Sequence, residues 1–361
     1  MTVPSDCSRL SARWAPRCWP AAARPKSGFT ETTRVEMANV FELDDIDFAA
    51  YEQETDVQQK VVDASVWVQA LIDQIQNPQK RVKAAKLPWR KTHALIEFRP
   101  GEVTLWAGAN GNGKSLVTGM TALSLCAQGE HVCIASFEMK PMTTLARMAR
   151  QWSGENPMNP KWAGSPEGIK YLTDVYSQFR DWTRDKLWLY DQQGTVQPSQ
   201  VIAMCRYAAK VLKVKHVVVD SLMKCIPDED DYNGQKRFVD ELTAIARDYH
   251  IHIHLIHHVK KLPSEDQKPN KYDLKGTGAI TDLADNVILV WRNKAKERKR
   301  EEGKLTEEME AKDPDTLLIC DKQRNGEWEG AIGLWFEKQS QQYLGLYGGS
   351  PLQLYSPDAD E

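Results

Sequence analysis

From Val103 to Phe336 the chain alternates short β-branched apolar runs with longer stretches whose apolar residues recur every three or four positions. VTLWAG (103–108), HVCIASF (131–137), LWLYD (187–191), HVVVD (216–220), IHIHLIH (251–257), NVILVW (286–291), TLLICD (316–321) and AIGLWF (331–336) read as strands. Helical spacing follows the first run in SLVTGMTALSLCAQ and returns over 142–153, 166–184 and near 198–212. Continuous apolar runs belong to strands covered on both faces. The pattern therefore predicts an α/β fold, a mostly parallel twisted sheet with helices on both sides.

Outside this block the pattern changes. VQQKVVDASVWVQALIDQIQ (57–76) carries apolar residues at Val61, Val62, Val66, Val68, Leu71, Ile72 and Ile75, the spacing of an amphipathic helix. Such a helix either caps its own domain or docks on a neighbouring subunit. Residues 1–36 are rich in Arg, Pro, Ala and Trp, and MANVFELDDIDF from Met37 looks like an ordinary start. We expect an upstream extension rather than a transit peptide, disordered through the acidic stretch that follows. The expected organisation is an extension over 1–56, a linker helix over 57–86, an ATPase domain over 87–345 and an acidic tail over 346–361. Residues 294–313 mix Lys, Arg and Glu and are expected to form a solvated helical insertion.

Composition narrows the partners. Forty-seven Lys and Arg against 50 Asp and Glu give a formal net charge of -3, so any polyanion must be met by a local patch or by a ring of loops in an oligomer. Seven cysteines stand without a CxxC pair or Cys/His cluster, which argues against zinc and disulfides and fits a reducing cytoplasm. No apolar run approaches the roughly 18 residues of a membrane span.

The sharpest chemical signal is Gly108-Ala109-Asn110-Gly111-Asn112-Gly113-Lys114-Ser115, which fits G-x-x-x-x-G-K-[ST] between a strand and a helix. Its glycines let backbone amides curl around phosphate oxygens; Lys114 is expected to reach the β- and γ-phosphates and Ser115 to hold Mg²⁺. Asp220 ends the run HVVVD, where a carboxylate reaches the same metal. Glu138 stands at the tip of the second strand and is the best placed carboxylate to orient the attacking water, since Ser221 and not an acid follows Asp220. In IHIHLIHHVKK, His252 and His254 share one face of a strand, while His257 and His258 lie at its end. Residues 259–280 form a long polar loop with Lys260, Lys261, Lys268, Lys271, Lys275, Gly276 and Gly278. It is either a solvated surface loop or one that offers cations and amides to a phosphodiester chain. Lys322 and Arg324 alternate, so both project to one side of their strand; they read as a surface hairpin or as a finger for a neighbour's site.

Together these residues resemble the hexameric replicative DNA helicases of superfamily 4, which include the bacterial replicative helicase, the helicase half of phage primase-helicases and the mitochondrial Twinkle helicase. The resemblance covers about residues 85–340. SFEMK is similar to the segment holding the catalytic glutamate, here Glu138, and HHVKK to the segment holding the γ-phosphate sensor, here His258. KGTGAITDLADNVI resembles the DNA-contacting loop and its following helix, and KQRNG the segment with the trans-acting Lys322 and Arg324. The family implies a RecA-like P-loop core that uses ATP or another NTP or dNTP with Mg²⁺. It implies a homo-hexameric ring around single-stranded DNA that moves 5′→3′ and unwinds forked DNA, in the cytoplasm and away from membranes. The DNA contacts it implies are Lys260, Lys261, Lys271, Lys275, Gly276 and Gly278. Two departures stand out: Lys275 replaces the arginine of the phage pattern, and we expect neither a primase domain nor the bacterial amino-terminal collar, so a separate primase or loader is implied. The rival readings are a recombinase ATPase that forms filaments on DNA and a nucleotide-gated replication assembly protein that does not unwind.

Overall fold

The computed structural model describes residues 62–77, 83–154, 156, 165–226, 228 and 230–354. The expectations for residues 1–56 and for the end of the acidic tail lie outside them. The chain divides into two units, Met1–Lys80 and Arg81–Glu361. In the first, helix α1 (Ala64–Gln76) starts at Asp63, whose carboxylate accepts the Ser65 amide at 2.9 Å. The helical spacing is borne out over that span, and none of its side chains is buried.

In the second unit, β1 (Ala85–Lys86) and β2 (Glu97–Phe98) form a small antiparallel pair. The main sheet contains β3 (Val103–Gly108), β4 (Val132–Ser136), β5 (Leu187–Leu189), β6 (His216–Asp220), β7 (His252–His258), β8 (Asn286–Arg292), β9 (Thr316–Gln323), β10 (Gly330–Glu337) and β11 (Gln342–Leu344). Its order is β11-β10-β9-β8-β3-β7-β6-β4-β5. From β8 to β5 every neighbouring pair is parallel; β9, β10 and β11 continue the sheet antiparallel. The eight predicted strands are all present, in the mostly parallel arrangement expected of runs buried on both faces.

Helices cover both faces. α2 (Lys114–Ala127), α3 (Pro141–Ser153) and α4 (Pro166–Thr183) contribute to the core that includes Trp106, Met120, Met148 and Phe179. α5 (Pro198–Lys210), α6 (Leu222–Cys225) and α7 (Tyr232–Tyr249) contribute to the opposite core with Leu105, Val201, Leu222, Phe238 and Leu255. Proline opens α3, α4 and α5, where its missing N–H costs nothing. The sequence reading leaves α7 unassigned. Its buried Gln235, Phe238, Val239, Leu242, Ile245 and Ala246 keep helical spacing, but polar residues between them dilute the stripe. The insertion forms α9 (Lys294–Glu301) and α10 (Glu307–Lys312), after the short α8 (Ala279–Leu283). The first part of the tail packs: Gln342 and Leu352 exchange hydrogen bonds of 2.7 and 2.9 Å, and Leu354 is buried.

Candidate active site

Strand register gathers the site. Gly108 of β3 lies opposite His258 of β7, Ile256 of β7 opposite Asp220 of β6, and Asp220 opposite Ser136 of β4, two residues before Glu138. Four adjacent parallel strands therefore end along one edge, each delivering a residue picked out by the sequence. That edge is where open α/β sheets bind ligands.

Between β3 and α2 the loop turns through Gly111 at φ +76° and Gly113 at φ +86°, a region open to glycine at little cost. Gly113 caps α2, so the first amides of that helix point out of the loop and favour an anion. A Cβ on Gly113 would overlap the Tyr343 hydroxyl, and one on Gly108 the Val290 carbonyl. Lys114 is only 7% exposed and donates to the carbonyls of Gly108 at 2.9 Å and Ala109 at 3.1 Å. Burial lowers its pKa, against the opposing pull of Asp220 and Glu138.

Ser115 Oγ donates to Asp220 Oδ2 at 2.8 Å. Burial pushes the Asp220 carboxyl up to about 6; the Ser115 hydrogen bond lowers it, the Glu138 charge raises it and Lys114 lowers it. The Asp220–Ser221 peptide is cis. Ser221 Oγ donates to Glu138 Oε1 at 3.1 Å, and His258 Nε2 stands 3.7 Å from that same oxygen. Burial and the Lys114 charge lower the His258 pKa, which Glu138 raises. A hydroxyl beside a buried carboxylate is a hard-oxygen pair that fits Mg²⁺, which takes few protein ligands when phosphates and water complete its shell. Among the described residues no cluster of three or more His, Cys, Asp or Glu side chains is arranged to hold a metal alone.

The other histidines of β6 and β7 have different work. His252 Nε2 meets Thr104 Oγ1 at 2.8 Å and its Nδ1 the Arg99 carbonyl at 2.7 Å. His254 accepts from the Trp106 indole at 3.2 Å and pairs with His216 at 3.2 Å. Phe98 meets the His254 ring edge-on at 4.8 Å. These three rings belong to the core, while His257 Nε2 meets the Lys275 carbonyl at 2.8 Å. His258, by contrast, faces Lys114 and Glu138.

Two clefts flank the phosphate loop. One, of about 560 Å³, runs from Ala109, Asn112, Glu138 and His258 to Lys260 and Lys275. The other, of about 230 Å³, lies between Gly111 and Gly113 on one side and Arg292, Phe336 and Tyr343 on the other. Arg292 donates to the Gly111 carbonyl at 3.2 Å. A planar guanidinium and an aromatic ring across a narrow slot suit a flat heterocycle. Sequence reasoning missed this second cleft; its one signal is that a charged residue, Arg292, ends an otherwise apolar strand.

The loop at 259–280 is tied at its base to the site. Val259 bridges Leu274, Lys260 donates its amide to Asp273 at 2.7 Å, and Lys275 donates its amide to His258 at 3.0 Å. Lys260 and Lys261 are exposed. Lys271 is held by Asp321, amide to carboxylate at 2.5 Å and ammonium to carbonyl at 3.0 Å. Gly276, at φ +80°, leaves no room for a Cβ beside Gln235; Gly278 opens α8.

Lys322 and Arg324 sit elsewhere. Gln323 pairs with Asn286, and Asn286 with Thr104, which puts them at the amino-terminal edge of the parallel strands. Gly108 is four residues farther along β3, about 13 Å at strand rise. Lys322 Nζ donates to the carbonyls of Thr281, Asp282 and Ala284 at 2.7–3.0 Å. Arg324 donates to Asp285 Oδ1 at 2.9 Å and to the Asp282 carbonyl at 2.7 Å. Both thus grip the segment that follows the 259–280 loop.

A family model described as the DnaB-like helicase C-terminal domain matches residues 92–344. Among solved structures, one described as an isolated ATPase domain aligns with TM-score 0.65 at 15% identity, covering 79% of this chain and 99% of its own. A DnaB-like replicative helicase, studied for its interactions with primase, aligns with TM-score 0.60 at 16% identity, covering 79% of this chain and 66% of its own. At those identities the structural likeness shows a shared fold, the RecA-like ATPase arrangement expected from the motifs.

Proposed function

The chain belongs to the DnaB-like helicase C-terminal domain family, and from that premise we propose that it is an ATP-driven ring translocase. It moves 5′→3′ on single-stranded DNA and unwinds duplex at a replication fork. In this reading the loop from Gly108 to Ser115 cradles the phosphates, and Lys114 leaves its loop carbonyls to meet the γ-phosphate. Ser115 and Asp220 hold Mg²⁺, which when bound screens the phosphate charge that develops during transfer. Glu138, oriented by Ser221, takes the proton of the attacking water, and His258 senses the γ-phosphate from the far side. Arg292 and Phe336 flank the base.

The observation that carries the ring is the separation of Arg324 and Lys322 from their own phosphate loop. They lie on the opposite strand edge, so an arginine there serves a nucleotide only on a neighbouring copy. The same two side chains hold the segment that trails the DNA loop. Hydrolysis felt by Arg324 at one interface would therefore move the loop of its own subunit, which presents Lys260, Lys261 and Lys275 with the turns at Gly276 and Gly278. Lys271 joins them only by leaving Asp321.

NTPase rate with and without single-stranded DNA, together with the subunit count in solution, tests the reading. We expect DNA-stimulated turnover by a closed ring. Open filaments on DNA would favour the recombinase alternative, and absence of fork unwinding the assembly-protein alternative.

A further inference from the structure

The insertion at 294–313 has the composition of a solvated surface element, but one residue departs from that. The Lys296 side chain, in α9, is 1% exposed. A buried ammonium is costly unless it is paired. Lys296 Nζ lies 3.1 Å from Glu310 Oε2 and 2.9 Å from Asp315 Oδ1, and donates to the carbonyls of Glu310 at 3.1 Å and Asp313 at 2.5 Å. Arg300 adds two 2.6 Å bonds to Glu310 and one of 2.8 Å to Asp315. Asp315 in turn accepts the Phe336 amide at 2.9 Å. α9 is thereby fixed to the antiparallel side of the sheet.

A helix anchored so firmly can hold other parts in place. Lys294 and Arg298, one turn apart on one face, pair with Glu265 at 2.8 Å and Asp266 at 2.6 Å, consecutive residues of the 259–280 loop. Glu297, on the same helix, accepts from Arg292 at 2.5 Å, and Arg292 donates onward to Gly111. Lys268 of the loop lies 5.6 Å from the Trp291 ring centroid. One helix therefore touches the middle of the DNA loop and, through Glu297 and Arg292, the phosphate loop.

We propose that α9 is a strap that sets the position of the 259–280 loop relative to the phosphate loop. Lys294, Arg298 and Glu297 are its positioning residues. The proposal rests on the helicase reading above and adds to it a route within one subunit. Exposed ion pairs are individually weak, which suits a contact that yields and re-forms in each cycle.

The test measures binding of a labelled single-stranded oligonucleotide and the fold-stimulation of NTPase by it, using the full chain. Glu265→Lys/Asp266→Lys adds positive charge to the loop, so it binds DNA more tightly and with a steeper salt dependence. It nevertheless loses about three- to tenfold of the stimulation, the scale of two partly exposed ion pairs. Lys294→Glu/Arg298→Glu loses as much. Combining all four substitutions restores the ion pairs and the wild-type net charge, and recovers the stimulation. Turnover without DNA is unchanged throughout. Undiminished stimulation in Glu265→Lys/Asp266→Lys, or no recovery in the fourfold swap, would overturn the strap. A wild-type protein that DNA does not stimulate would overturn the helicase reading, and the strap with it.

Discussion

Ser115 and Asp220 share a 2.8 Å hydrogen bond although they lie 105 residues apart, one at the start of α2 and the other at the end of β6. The carboxylate is buried, and burial holds its pKa above the ordinary range, at about 6. At pH 7 its charge is therefore a cost to the fold that a bound cation offsets. Asp220→Asn removes both the cost and the ligand. We expect kcat for NTP hydrolysis to fall by about 10²–10³-fold while the thermal midpoint without nucleotide holds or rises. A lower midpoint would mean that Asp220 is a structural residue first.

Glu138→Gln keeps the shape of the side chain and its bond from Ser221 but cannot accept a proton. Loss of a general base costs about 10²–10⁴-fold in rate. Single-turnover hydrolysis should fall by that amount with nucleotide affinity retained. A drop confined to affinity would assign Glu138 to binding instead.

Gly113 is required twice, by its φ of +86° and by the Tyr343 hydroxyl that occupies the place of a Cβ. Gly113→Ala should destabilise the protein by about 1–3 kcal/mol and abolish nucleotide binding, read by chemical denaturation and by titration with a fluorescent nucleotide. Wild-type stability would mean that the loop relaxes around the methyl group.

Acid should unfold this protein early. Burial lowers His252 and His257 to about 4, and His216 and His254 are lowered well below the ordinary value. Unfolded histidine titrates near 6.5, so below that pH the unfolded chain binds more protons and stability falls as pH drops from about 6.5 towards 4. Urea midpoints across that window should decline, and His252→Gln should flatten the decline. A flat wild-type profile would show that the rings are charged or hydrated in the native state.

Much of this site was legible in the sequence because its parts end strands. Gly108, Glu138, Asp220 and His258 each close an apolar run, and parallel register brings such ends together. The insertion was harder to read. Lys296 has the same composition signal as its exposed neighbours, and only the acids of α10 and Asp315 decide that it is buried. α7 escaped for a related reason: Gln235 and Thr243 lie on its buried face, so its stripe is broken in sequence though continuous in space. Asp285, the partner of Arg324, carried no local signal; its place depends on β3, β8 and β9 meeting.

The account turns on a nucleotide site finished by a second copy of the chain. Lys114→Ala protein lacks its phosphate lysine and Arg324→Ala protein lacks its finger, so neither should turn over NTP alone. Mixed in equal amounts, about a quarter of the interfaces pair an intact loop with an intact finger. NTPase of the mixed assembly should then rise well above either parent. If the mixture stays as inactive as its parents, or if Arg324→Ala alone keeps full DNA-stimulated activity, the shared site is wrong.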